Sequence, residues 1–184
     1  MADPVLYIIA CGARPAADLP EFVKWTTRRR GGWDTCVIVT PSAVRFTDMA
    51  LLANMTGYPV RSDYKRPEDP DILPPPNAIV VAPATFNTIN KWAAGISDTL
   101  ALGILNEALM SGLPIAAVPN PNEVLARHPA FPSSVRFLRG CGVGVLFDRE
   151  RFPLPVPNMG EASRDLFPWD ALKTVVDGMR DQVG

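Results

Sequence analysis

Residues 78–102 read AIVVAPATFNTINKWAAGISDTLAL. The opening AIVVA is an apolar run without a polar break, the composition expected of a strand buried on both faces. Pro83 and a polar turn, residues 84–87, end the run. Helical patterns follow at 88–94 and, beyond Gly95, at 98–110, where Leu102, Leu105 and Leu109 recur at helical spacing. A doubly buried strand, a polar turn and a helix make one unit of a parallel sheet covered by helices.

The same unit appears on either side. Residues 5–10 (VLYIIA) are a short apolar strand that opens into a turn at Cys11 and Gly12. The spacing predicts a helix over 19–29, with Phe22, Val23, Trp25 and Thr26 inward, stopped by Gly31 and Gly32. Strands are expected at 35–39 (TCVIV), 114–118 (PIAAV) and 143–147 (VGVLF), with broken helix before Gly57 and a short helix ending near Arg139. Asp18 and Thr47 have the chemistry of N-caps. Residues 58–77 and 148–168 are proline-rich and irregular, and 169–182 read as a terminal helix packed by Trp169, Leu172, Val175, Val176 and Met179. The expected fold is α/β: one Rossmann-like domain over residues 1–184, a doubly wound parallel sheet sandwiched between helices.

Composition narrows the chemistry. Twenty prolines and 13 glycines in 184 residues stay below the roughly 25–30% that marks low-complexity chains. The single histidine, His128, removes histidine-rich zinc sites and paired imidazole relays. Cys11, Cys36 and Cys141 are widely spaced and odd in number, which leaves no disulfide framework and no CxxC knuckle, so no metal site is expected. The first residues lack the pattern of a signal peptide and no apolar run reaches the roughly 18 residues of a membrane span, so the chain reads as cytoplasmic, without a membrane partner. A net charge of −1 gives no global case for nucleic acid. The basic cluster Arg28 to Arg30 falls where a helix ends and complements its dipole.

Ligands of doubly wound sheets bind beyond the carboxyl ends of the strands. Those ends carry Gly12, Ala13 and Arg14; Thr40 and Ser42; Ala84, Thr85 and Asn87; and residues 119–122, including Asn122. Hydroxyls and amides at helix starts suit an anion such as a phosphate monoester, and they equally suit plain N-capping. Neither GxxxxGK[ST], GxGxxG nor Gly-x-Ser-x-Gly occurs. Glu68, Asp69 and Asp71 form an acidic run in a proline-rich loop, where solvation is its ordinary role.

Residues 78–102 resemble the flavin-binding core of the homo-oligomeric flavin-containing cysteine decarboxylases, a family with phosphopantothenoylcysteine decarboxylases, peptidyl-cysteine decarboxylases and, more distantly, flavin prenyltransferases. Its pattern is an apolar strand, A-P-x-[ST]-A-N-T, a short helix and G-[IL]-x-D-x-L, matched here except for Phe86 in place of the second alanine. Residues 40–46 (TPSAVRF) are similar to the family's T-P-x-A-x-x-F. The resemblance implies a Rossmann-like subunit that binds FMN at an interface between subunits, in a trimer or an assembly of trimers. It assigns Gly12, Ala13 and Arg14 to the first flavin loop, Thr40 and Ser42 to the second, and Ala84, Thr85 and Asn87 to the third. Phe46 is placed beside the flavin ring or, equally, in the core.

The catalytic positions depart from the family. Its histidine falls at Asp69, a weak candidate base. Its substrate clamp, P-x-M-N-x-x-M-W, is reduced to Pro119 and Asn122, with Asn122 left to hold a carboxylate. Its late-loop cysteine has no counterpart in 148–168; Cys141 reads as a small buried thiol and His128 as a solvated loop residue or a rim catalyst. Three functions stay open: an FMN-dependent decarboxylase of a cysteine-derived or other carboxylate, small molecule or peptide; an FMN-binding redox or carrier protein without that chemistry; and a flavin prenyltransferase. Both proline-rich loops are expected to cover the flavin cleft.

Overall fold

A computed structural model describes residues 3–28 and 32–183. Five strands, β1 (Val5–Ala10), β2 (Asp34–Val39), β3 (Ala78–Ala84), β4 (Ile115–Pro119) and β5 (Gly144–Val145), form one sheet. Their order is β2-β1-β3-β4-β5, and every pairing is parallel. The expectation of a doubly wound α/β fold holds, and the order reverses between β1 and β3, the position where such sheets open a crevice. Gly31 and Arg29 to Arg30 of the expected helix stop and basic cluster lie outside the described residues.

Strand composition explains the two layers. All residues of β1 and β3 are buried, and side chains alternate between faces. Tyr7, Ile9, Ile79, Val81 and Ala117 face a core with α3 (Phe86–Ala93), α4 (Leu100–Ala108) and α5 (Ala130–Gly140). Leu6, Ile8, Val80 and Val118 face the other core, with α1 (Leu19–Arg28), α2 (Met49–Thr56) and α6 (Trp169–Val183). Leu172, Val176 and Met179 of α6 are buried, as the terminal pattern predicts. No helix among the described residues is long and apolar enough to cross a membrane.

Local expectations fail where tertiary contacts compete. The α2 cap is Asp48, whose side chain accepts from Leu51 N at 3.0 Å, while the Thr47 hydroxyl is buried without a partner. Asp18 pairs with Arg164 across the chain. The strand expected over 143–147 shortens to β5. Residues 58–77 do not line the cleft of their own chain: Val39 N, at the end of β2, donates to Arg61 O at 2.8 Å, and Tyr64 Oη donates to Thr99 O at 3.1 Å. This loop thus flanks β2 and docks on α4; Gly103 lies so close to the Tyr64 hydroxyl that an added Cβ would sit 2.3 Å from it.

Trp92 anchors the α3–α4 layer: it is fully buried and its indole N–H donates to Leu105 O at 3.2 Å. Trp92→Ala is expected to cost about 3–5 kcal/mol, measured as a lower urea midpoint at unchanged slope.

Candidate functional site

The first wall of the site follows β1. A Cβ built on Gly12 would meet Ser42 Cβ at 2.9 Å and the Ser42 carbonyl carbon at 3.0 Å, so only glycine lets the chain ends of β1 and β2 touch. Arg14 opens a 3₁₀ turn, Arg14–Asp18, and its guanidinium pairs with Glu161.

The second wall follows β3. Thr85 caps α3 by accepting from Thr88 N at 3.3 Å, and the two hydroxyls lie 2.9 Å apart. Helix starts leave their first N–H groups without intrahelical acceptors, and Phe86 and Asn87 occupy those positions. The walls are joined from below, where Cys11 N donates to Pro83 O at 2.9 Å. Burial pushes the Cys11 thiol up, against hydrogen bonds with Thr88 and Thr85 that oppose the rise.

The third wall follows β4. Asn120 N donates to Ala84 O at 2.8 Å. Asn122 Oδ1 accepts from Leu125 N at 2.9 Å, which commits its carbonyl to the turn and leaves its amide N–H groups as donors. Residues 155–163 complete the mouth: Glu123 N donates to Pro155 O at 3.0 Å, and the Gly160–Ser163 turn is tied to the Arg14–Asp18 turn. Arg164 Nε donates to Asp18 Oδ2 at 3.1 Å, and Arg164 Nη1 to Glu161 Oε2 at 3.3 Å.

These walls enclose a cleft of about 670 Å³, within the range of small-molecule sites. Gly12, Ala13, Arg14, Thr85, Asn87 and Asn122 line it. Ala84 and Thr40 are buried next to it, and Ser42 takes part through Gly12. Phe46 is half-buried and does not line it. Asp69 is exposed outside the cleft, its carboxylate accepting from Arg66 N at 3.1 Å. His128 is exposed, with Nδ1 accepting from Ala130 N at 3.2 Å. Cys141 is partly exposed at the end of α5, so the expectation of a buried thiol there fails; the thiol buried beside the site is Cys11.

Of the two proline-rich loops expected over the cleft, 148–168 reaches it through residues 155–163, whereas the sequence reading missed Phe86 as a lining residue. Its one available signal for Phe86 was the departure from alanine at that position. The ion pairs that tie the Gly160–Ser163 turn in place had no local signal, because they join charges 146 and 147 positions apart.

Residues 5–179 match the Flavoprotein family. The chain is 30% identical to the coenzyme A biosynthesis bifunctional protein CoaBC of Bacillus subtilis (strain 168) over 59% of its own length and 28% of that protein. It therefore spans little more than a quarter of that relative. It is 27% identical to the cypemycin cysteine dehydrogenase (decarboxylating) of a Streptomyces species, over 67% of this chain and 68% of that one. Among solved structures, the FMN-dependent cysteine decarboxylase TvaF from thioviridamide biosynthesis superposes with a TM-score of 0.77 at 22% identity, covering 98% of this chain and 99% of that one. That likeness shows the fold.

Gly12→Ala is expected to lower stability by about 1–3 kcal/mol through overpacking against Ser42, read as a lower urea midpoint. Gly140→Ala, where an added Cβ meets nothing within 4 Å, is the control and leaves the midpoint within about 0.5 kcal/mol. Thiol titration of the native protein at pH 8 is expected to find Cys141 alone reactive. Cys11 is buried, and burial followed by the charge of Asp34 pushes Cys36 up to about 12, so both stay protonated and shielded. Cys141→Ser removes the fast reaction.

Proposed function

The chain belongs to the Flavoprotein family, and from that premise we propose that it binds FMN in the cleft at the β1/β3 reversal and acts as a decarboxylase on a cysteine-derived carboxylate. The observation that carries this reading is the cleft of about 670 Å³ at that reversal, lined by Gly12, Thr85, Asn87 and Asn122. Beside it stand the start of α3 and the Arg14 guanidinium, a donor set that suits a phosphate monoester. Arg14 shares its charge with Glu161 at the surface, so its contribution is modest. A doubly wound sheet of this strand order places its ligand at this point.

Bound FMN supplies an acceptor for a hydride equivalent from the carbon that carries the substrate thiol. The chain's own part is to orient. Asn122, with its carbonyl engaged by Leu125 N, presents only amide donors and holds a carboxylate. Asn87, in the first turn of α3, offers a second exposed amide. Leu125, Val156 and the prolines of the mouth keep water from the carboxylate's neighbourhood. Further copies of this chain, assembled as a trimer, would cover the exposed apolar residues Val44, Leu51 and Val124.

One observation favours a second reading, FMN binding in a redox or carrier role without decarboxylation. Among the described lining residues there is no His, Asp, Glu, Cys, Lys or Tyr to take a thiol proton, and Asp69 lies outside the cleft.

Flavin fluorescence quenching tests the cofactor. FMN is expected to bind about tenfold or more tighter than riboflavin, the phosphate making charge-assisted hydrogen bonds. Arg14→Gln narrows that difference by about fivefold. Failure to take up FMN overturns both readings. Anaerobic mixing of the FMN-loaded protein with a cysteine-terminated peptide separates them: flavin bleaching with CO2 release supports decarboxylation, and an unchanged flavin spectrum supports binding alone.

A further inference from the structure

One side chain in the cleft is large, apolar and fixed from behind. Phe86, the first residue of α3, lines the cleft. Its ring stacks on Phe131 with centroids 5.9 Å apart and planes at 20°, and His128 meets it edge-on at 5.6 Å and 81°. Phe131 is fully buried and braced in turn by Phe147 at 5.1 Å and 77°. Ser134 Oγ donates to Asn90 Oδ1 at 2.8 Å, tying α5 to α3 behind the ring, and the bond from Ala130 N holds the His128 ring. Phe86 cannot turn away without unstacking a core phenylalanine, so its cleft face is pre-organised for binding.

Apolar side chains and neutral amides share the lining with that face. Leu125, Val156 and Met159 share the lining with it, and Val156 is 51% exposed. The one charged residue in the lining, Arg14, is already paired with Glu161. A polar group placed against Phe86 would lose water and find no charge to replace it.

We propose that Phe86 is the specificity-determining residue of the cleft, selecting ligands that carry an apolar and preferably aromatic group next to the carboxylate. The inference rests on the reading of Asn122 as the carboxylate holder. Ring contact with a fixed aromatic face adds two- to about tenfold to affinity beyond simple burial, and a glycine at the same place forgoes both.

The test is isothermal titration of the FMN-loaded protein with N-acetyl-Phe-Ser and N-acetyl-Gly-Ser, in which a hydroxyl replaces the reactive thiol. The phenylalanine dipeptide is expected to bind about tenfold tighter. Phe86→Ala brings the two within twofold, Phe86→Leu leaves an intermediate preference, and Phe86→Tyr, which keeps the ring, retains the order. Asn122→Ala weakens both dipeptides alike and leaves their ratio. Equal affinity in the unmodified protein, or an unchanged ratio in Phe86→Ala or Phe86→Leu, overturns the role of Phe86 alone. Binding of neither dipeptide overturns it together with the carboxylate reading.

Discussion

The structure depends on β1 pairing in parallel with two partners, β2 on one side and β3 on the other. The chain leaves β1 for α1 on one face of the sheet and leaves β3 for α3 on the other. The carboxyl ends of β1 and β3 are left side by side with no connection crossing between them. Everything that lines the cleft is arranged about that gap: Gly12 at one lip, Thr85 and the start of α3 at the other, and Asn120, bonded to Ala84, extending the second lip from β4. A sheet wound in one direction only would have no such opening.

Rigidity and exposure are divided across the cleft. On the α3 side the parts are held by buried contacts: the Cys11, Thr85 and Thr88 cluster beneath, and the Phe147, Phe131 and Phe86 series behind. On the opposite side residues 155–163 are held by ion pairs between partly exposed charges, Arg14 with Glu161 and Arg164 with Asp18. Such surface pairs contribute little each, so the mouth is the weaker half.

The departures from the decarboxylase pattern also acquire a physical meaning. At the position of the family histidine stands Asp69, whose carboxylate organises its own loop through Arg66 N rather than facing the cleft. Asn122 lines the cleft together with Leu125 and Val156. Phe86 replaces a small residue and fills part of the lining with a ring. No His, Asp, Glu, Cys, Lys or Tyr appears among the described lining residues.

The amino-acid sequence by itself determined the class of fold and most of the cleft. Uninterrupted apolar runs such as VLYIIA and AIVVA specify doubly buried strands, and the residues that end them, Gly12, Thr85, Asn87 and Asn122, are legible because turn and cap chemistry acts within three or four positions. The two proline-rich loops looked alike for the same reason: proline reports that a segment is irregular and says nothing of where it goes. Only the tertiary structure sent 58–77 to the edge of β2 and to α4, and brought 155–163 to the cleft. Likewise, it set Glu161 against Arg14 and Phe131 behind Phe86. Those arrangements are contacts between residues about 22 to 147 positions apart, decided by which faces the folded layers bring together, and no local pattern of side chains carries that information.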